Sequence, residues 1–361
     1  MAMQWIKITL VMLGLIMAVA LSGCSNDAPV KVAVMTKLDT GSIVGVSEVD
    51  GARFFLEQNN IKNIEIIPFD DAWDPEKTKE VYQEIRAQGI DIIVTSHTST
   101  CSLALKELVD AEGDEVLIFN TGATSDKLSG QDDMFIRNVV DVHTEQRFIA
   151  EAINAAAWPN LLIVRDIDNA GYVDPALIYF KQYYQAPAPV LDVSMKKMQM
   201  EELRSQMAAS GFQSLYLLVG GYQTNAGAVA QLARTLVPDC PIMYTPWLKT
   251  PTIIETAGTS LSGSLMPAHY PPRGTDAAID AYVDAFKNRY GYSPTFISLN
   301  VYQAIEILQQ GLDAGLRSPA ELKQFVLEQD SIETTFGKIS FDEYGDSQSP
   351  LYFITDIAKE F

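Results

Sequence analysis

Residues 90–102 read IDIIVTSHTSTCS: a short apolar run passes through a hydroxyl-rich turn into an amphipathic stretch. The run at 90–95 is dominated by β-branched residues and is too short for a buried helix, so it reads as a strand. The stretch at 101–111 carries helical periodicity. Strand, polar turn and helix make one half of a parallel βαβ unit, and the flanking sequence repeats that unit in both directions.

Upstream, 30–35 reads as a strand and 47–60 as a helix with Val49, Ala52, Phe55 and Leu56 on one face. A strand at 64–69 follows. Asp74-Pro75-Glu76 then opens a helix. Asp74 caps it, Pro75 lacks an N–H that would be orphaned there anyway, and Glu76 suits the positive end. Gly89 ends that helix, and a further strand is predicted at 116–120. The rhythm restarts after Asn138, with strands at 161–165, 190–193, 214–219 and 242–244. Helices are expected at 144–157, 174–184, 200–209 and 225–236, and later at 275–289 and 298–314. No low-complexity linker divides the two halves. The fold class is therefore α/β, with two doubly wound lobes and more than one chain crossing between them.

The N-terminus reads as a targeting segment. Lys7 is the one charge in residues 1–23, and an apolar run at 8–21 follows it. That run falls short of the roughly 20 residues a spanning helix needs. A cation, a short apolar core and small residues describe a secretory leader. Leu21-Ser22-Gly23-Cys24 resembles a lipobox, which implies cleavage before Cys24 and acylation of its thiol, tethering the body to a membrane. Ser25, rather than Asp, follows the cysteine; in enteric-type sorting that favours the outer membrane.

The chain holds 46 acidic against 26 basic residues, a net charge of −20. Such a surface repels phosphate backbones and argues against nucleic acid as a partner. Cys101 and Cys240 are the remaining thiols. Export permits a disulfide, but Cys101 follows a strand and Cys240 precedes one. They belong at opposite ends of their sheets, beyond the roughly 7 Å a bridge can span.

In open α/β sheets ligands bind outside the carboxyl ends of the strands. Four loops there draw attention. Ser96 to Ser102 places hydroxyls at a helix start, where free N–H groups and the helix dipole attract an anion, although Ser99 or Thr100 as a simple cap explains the same pattern. Asn120-Thr121-Gly122-Ala123-Thr124 lies one unit along; Gly122 admits close backbone approach and Thr124 adds a hydroxyl. In the second half Gly220-Gly221-Tyr222 and Tyr244-Thr245-Pro246-Trp247 end their strands, bringing Tyr222 and Trp247 to the cleft side. His97, His143 and His269 have no metal-ligand spacing, and the phosphate-loop and dinucleotide glycine patterns are absent. No cofactor or metal is expected. Cys101, at a helix start near His97, is the one candidate nucleophile, and a Cys101-dependent hydrolase is the enzymatic alternative.

Taken in order, Asp70-Asp71-Ala72-Trp73-Asp74-Pro75, the run at 96–102, Gly122-Ala123-Thr124, Gly220-Gly221-Tyr222 and Phe341-Asp342-Glu343-Tyr344-Gly345-Asp346 resemble the type I periplasmic binding proteins of the leucine/isoleucine/valine-binding family. The resemblance runs from about Val30 to the C-terminus. It implies two Rossmann-like lobes joined by three crossings, near 138–141, 266–271 and 334–339. Residues 1–23 would be the signal, 24–29 a tether, 30–140 with 271–335 one lobe, and 141–270 with 336–361 the other.

The resemblance further implies a binding protein, not an enzyme, that closes on a small carboxylate-bearing ligand and delivers it to an ABC permease. A sensing module for a membrane receptor kinase is the alternative within the same fold. The family's carboxylate contacts fall on Thr100 and Thr124, with Cys101 beside them, its ammonium-accepting carbonyl on Gly122, and its far-lobe tyrosine on Tyr222. Trp247 is expected to close the other side. The acid that pairs with an amino group in that family aligns with Pro246, and two cleft tyrosines align with Ala170 and Val44. Its paired cysteines align with Trp73 and Ser99. Asp166, Asp168 or Glu255 is the candidate replacement for the acid.

Overall fold

The computed structural model describes residues 28–38 and 43–361. The predicted leader and Cys24 lie outside the described residues. β1 (Val30–Thr36) reads VKVAVMT and is buried from Val32 onward, as the centre of a parallel sheet covered on both faces requires. It pairs in parallel with β2 (Ile64–Asp70) on one side and β3 (Ile92–Thr95) on the other. β4 (Leu117–Asn120) and β5 (Phe135–Arg137) extend the sheet to the order β2-β1-β3-β4-β5. Its connections run through α1 (Ile43–Gln58), α2 (Pro75–Ala87) and α3 (Ser99–Glu112).

The second sheet repeats the pattern. β6 (Leu161–Asp166), β7 (Val190–Val193), β8 (Ser214–Leu218) and β9 (Ile242–Met243) run parallel in the order β7-β6-β8-β9. Around them lie α4 (Val142–Ala155), α5 (Ala170–Tyr183), α6 (Met200–Ser210), α7 (Gln223–Leu236) and α8 (Pro251–Ala257). In each sheet the strand order reverses once, between β1 and β3 and between β6 and β8. A crevice opens at the carboxyl ends there.

The chain then returns to the first sheet through α9 (Ala277–Tyr290), α10 (Phe296–Asp313) and α11 (Pro319–Leu327). Aromatic contacts hold α9 and α10 on α1: Phe54 meets Tyr282 and Phe286 edge-on at 5.6 Å, and Phe55 meets Tyr302 at 5.1 Å. Such pairs contribute about 0.5–1.5 kcal/mol each beyond the area they bury. The C-terminal stretch forms a hairpin, β11 (Ile332–Thr334) with β12 (Gly337–Ile339), and returns to the second lobe as β13 (Tyr352–Ile354), antiparallel to β10 (Met266–Ala268).

Helix starts follow their chemistry. Asp74 accepts from the N–H groups of Glu76 and Lys77 at 3.0 and 3.1 Å, with Pro75 in the first turn. The Phe341–Asp346 stretch is structural. Asp346 binds the buried Arg137 Nε at 2.7 Å, while Asp342 Oδ1 accepts from Tyr344 and Asp346 N–H. Two expectations change. The helix predicted at 174–184 begins at Ala170, so Pro175 sits inside it instead of opening it. α8 and α11 have no counterpart in the sequence reading, although Ser318 and Glu321 form a complete capping box at the start of α11.

Candidate functional site

The two crevices face each other across a shared cavity. Its lining follows from the topology. Val44 comes from the β1 connection, Trp73 from the end of β2, Ser96 to Ser99 from β3, and Gly122 and Thr124 from β4. Across the cleft stand Asn169 and Tyr172 after β6, Gly220, Gly221 and Gln223 after β8, and Trp247 after β9. Trp73, Tyr172 and Trp247 give it aromatic walls. Among the described lining residues none is Asp, Glu, Lys or Arg.

Several polar atoms on the lining residues have no hydrogen-bond partner. The hydroxyls of Ser96 and Thr124 and the indole N–H groups of Trp73 and Trp247 are buried without a hydrogen-bond partner, as is Nε2 of His97. A buried donor left unpaired costs about 1–3 kcal/mol, so such a set in one cavity marks a ligand position. Thr98, not Ser99 or Thr100, caps α3, its hydroxyl accepting from Cys101 N–H at 3.3 Å. Ser99 instead accepts the Thr124 N–H at 3.2 Å, tying the two hydroxyl loops together. Gly122 is needed because a Cβ there would lie 3.2 Å from the Ser96 backbone.

Of the residues expected to touch ligand, Gly122, Thr124 and Trp247 line the cavity. The other three lie outside this lining, although Thr100 and Tyr222 line the pocket adjoining it. Thr100 faces the other lobe: its hydroxyl donates to Asn169 Oδ1 at 3.2 Å and accepts the Gly171 N–H at 3.1 Å. Cys101 is fully buried behind its helix and lines no part of the cavity. Burial pushes its thiol up to about 11, which outweighs the helix N-terminus and removes the nucleophile reading. Tyr222 stands at the mouth, in the left-handed region at φ 50°, with Lys196 Nζ 5.9 Å from its ring centre. Cys240 and Cys101 are both free, as strand polarity requires.

None of the acids suggested as replacements for the one missing at Pro246 lines this cavity, although Asp168 lines the adjoining pocket with Thr100 and Tyr222. Asp166 is buried beside it, accepts from Asp168 N–H at 3.0 Å, and burial lifts it to about 6. Asp168 binds the Ser194 hydroxyl at 2.9 Å, and Glu255 is exposed. Two other acids lie behind the walls. Glu145 accepts from the Tyr172 hydroxyl at 2.6 Å and from Gln146 at 2.8 Å; burial raises it to about 7. Burial likewise raises Glu48 to about 8, with the Ser96 and Thr36 hydroxyls near it but outside good hydrogen-bond geometry.

Asn169, Tyr172 and Gln223 escaped the sequence reading. The signal was available in position: each follows a strand end of the second sheet, as Tyr222 and Trp247 do. Side-chain direction within those turns was not.

A family model described as periplasmic binding protein matches residues 189–357. The chain is 23% identical over 357 residues to the Leu/Ile/Val-binding protein of Escherichia coli strain K12, covering 91% of each chain. The branched-chain amino acid transporter substrate-binding protein of Streptococcus pneumoniae, solved with isoleucine, superposes with a TM-score of 0.79 at 17% identity, over 91% of this chain and 96% of that one. A solute-binding protein of an ABC transporter from Rhodopseudomonas palustris, solved with 3,4-dihydroxybenzoic acid, gives the same TM-score at 18% identity, over 91% and 92%.

Proposed function

We propose that this chain works as the type I periplasmic binding proteins it resembles do, and that it captures a small monocarboxylate with an apolar or aromatic body and no amino group. The chain is a solute-binding protein outside the cytoplasm, as its relatives are, and not an enzyme. The observation that carries the ligand reading is the cavity lining: hydroxyl and N–H donors and three aromatic rings, with no carboxylate among the described residues to pair an ammonium. An ammonium buried without such a partner loses about 3–5 kcal/mol relative to a paired one.

The ligand carboxylate sits between the first N–H groups of α3 and the Thr124 hydroxyl, where the helix dipole favours an anion. Tyr172, Trp247 and Trp73 hold the apolar body. The aromatic acid in the Rhodopseudomonas palustris protein supports this reading, and the isoleucine in the Streptococcus pneumoniae protein makes amino acids the competing class. Closure presents the loaded protein to an ABC permease, and a lipid on Cys24 tethers it to a membrane.

A thermal-shift screen of aromatic acids, aliphatic acids and amino acids tests the reading. A ligand at a hundredfold excess over its Kd stabilises by about 2.7 kcal/mol, well above the scatter of inert compounds. Stabilisation by leucine, isoleucine or valine with none by any plain acid would overturn it.

A further inference from the structure

Asp71 is fully buried in the turn between β2 and α2, and its oxygens are occupied. They accept from His97 Nδ1 at 2.7 Å, from the Thr78 hydroxyl at 3.0 Å and from the Trp73 N–H at 3.0 Å. Burial acts to raise this acid, but the His97 contact and the other donors outweigh it and hold the carboxyl below its usual range. Asp71 is therefore an anion, and the hydrogen of the His97 contact lies on Nδ1. The other ring nitrogen, Nε2, is buried and meets no partner. His97 lines the ligand cavity and Asp71 does not, so the ring stands between the buried anion and the cavity.

Among the described lining residues His97 is the one able to carry positive charge. A carboxylate entering beside a neutral imidazole would put two anions, the ligand and Asp71, around one ring in a dry site. That arrangement is costly, and a proton on Nε2 relieves it while supplying a donor. The lysines nearest this cavity, Lys37 and Lys196, line adjoining pockets instead. Glu48 on α1 is held protonated by burial, and Cys101 on α3 is a neutral thiol.

We propose that His97 is the counter-ion of the captured carboxylate: binding draws one proton onto Nε2, and the imidazolium, braced by Asp71, donates to the ligand. The proposal rests on the carboxylate reading above. The proton comes from solvent on loading and returns to it on release, so capture is favoured in acid and release in base.

Isothermal titration with benzoate, 3-phenylpropionate and 4-methylpentanoate, each in two buffers of different ionisation enthalpy, measures the proton directly. For whichever acid binds, the expected result at pH 7, where Glu48 is largely protonated with or without ligand, is uptake of a substantial fraction of one proton per site. Affinity should weaken by up to about tenfold per pH unit wherever uptake approaches one proton. His97→Gln should abolish the uptake, and Glu48→Gln should leave it intact. Binding without uptake, or uptake that survives His97→Gln, overturns the proposal while the carboxylate reading stands. Binding by none of the three acids overturns both.

Discussion

The Thr100 hydroxyl donates to Asn169 Oδ1 at 3.2 Å, joining the start of α3 in one lobe to the turn before α5 in the other. The same oxygen accepts the Gly171 N–H at 3.1 Å, satisfying one of the four donors that a helix start leaves free. A second bridge, from the Tyr179 hydroxyl to Asp126 Oδ2 at 2.8 Å, lies farther along α5. Thr100 thus acts on closure, and the carboxylate falls to its neighbours. A threonine that holds the lobes together and one that holds the ligand look alike in sequence.

Gly171 tests the closure. A Cβ on it would lie 2.8 Å from the Thr100 nitrogen, with backbone on the opposing side that cannot give way. Gly171→Ala should hold the lobes apart and weaken ligand binding at least tenfold. The unliganded protein should melt no lower, since alanine favours a helix by about 1 kcal/mol over glycine. Calorimetry and small-angle scattering with and without ligand check both halves.

Thr124 offers a cleaner deletion. Its hydroxyl is buried in the cavity without a partner, whereas its N–H is bound to Ser99. Thr124→Val keeps the shape and removes one donor to the carboxylate. Affinity should fall by about 1–3 kcal/mol, roughly 5- to 150-fold, with stability unchanged or slightly raised. Thr100→Val should cost less, because it touches closure alone.

The two raised acids predict the pH profile of stability. Glu48 lies near 8 and Glu145 near 7 against an ordinary 4.5, chiefly because of burial. Each binds its proton more tightly when folded, so its contribution is intact below about 4.5 and declines as pH rises through the folded value. Glu48→Gln should melt at least about 3 °C above the parent at pH 8.5 and close to it at pH 5. Asp71 has the opposite sign: its contribution is present above its ordinary value of 3.8 and is lost as pH falls through the folded one. Melting curves between pH 3 and 9 separate the windows.

Much of this architecture was legible because a buried parallel strand needs an unbroken apolar run, and VKVAVMT, IIVT and LIFN supply it. Strand polarity then placed Gly122, Thr124 and Trp247 at the cleft before any coordinates. Periodicity failed where it had too few residues to act on, as in β5, β10 and the hairpin at 332–339. It also failed where a tertiary contact set the boundary. α5 begins ahead of Pro175 because Thr100 in the other lobe receives its free N–H, a partner 71 positions away. The site errors share that origin: which way Thr100, Cys101 and Tyr222 turn is decided by packing across the cleft.

The central claim is that the cavity accepts a carboxylate and rejects an amino group. Matched pairs isolate that single difference: 3-phenylpropionate against phenylalanine, and 4-methylpentanoate against leucine, each titrated calorimetrically at pH 6.5. The account predicts that the acid of at least one pair binds about a hundredfold or more tightly than its amino acid, the penalty of an unpaired buried ammonium. Equal or tighter binding of the amino acid in both pairs would contradict it.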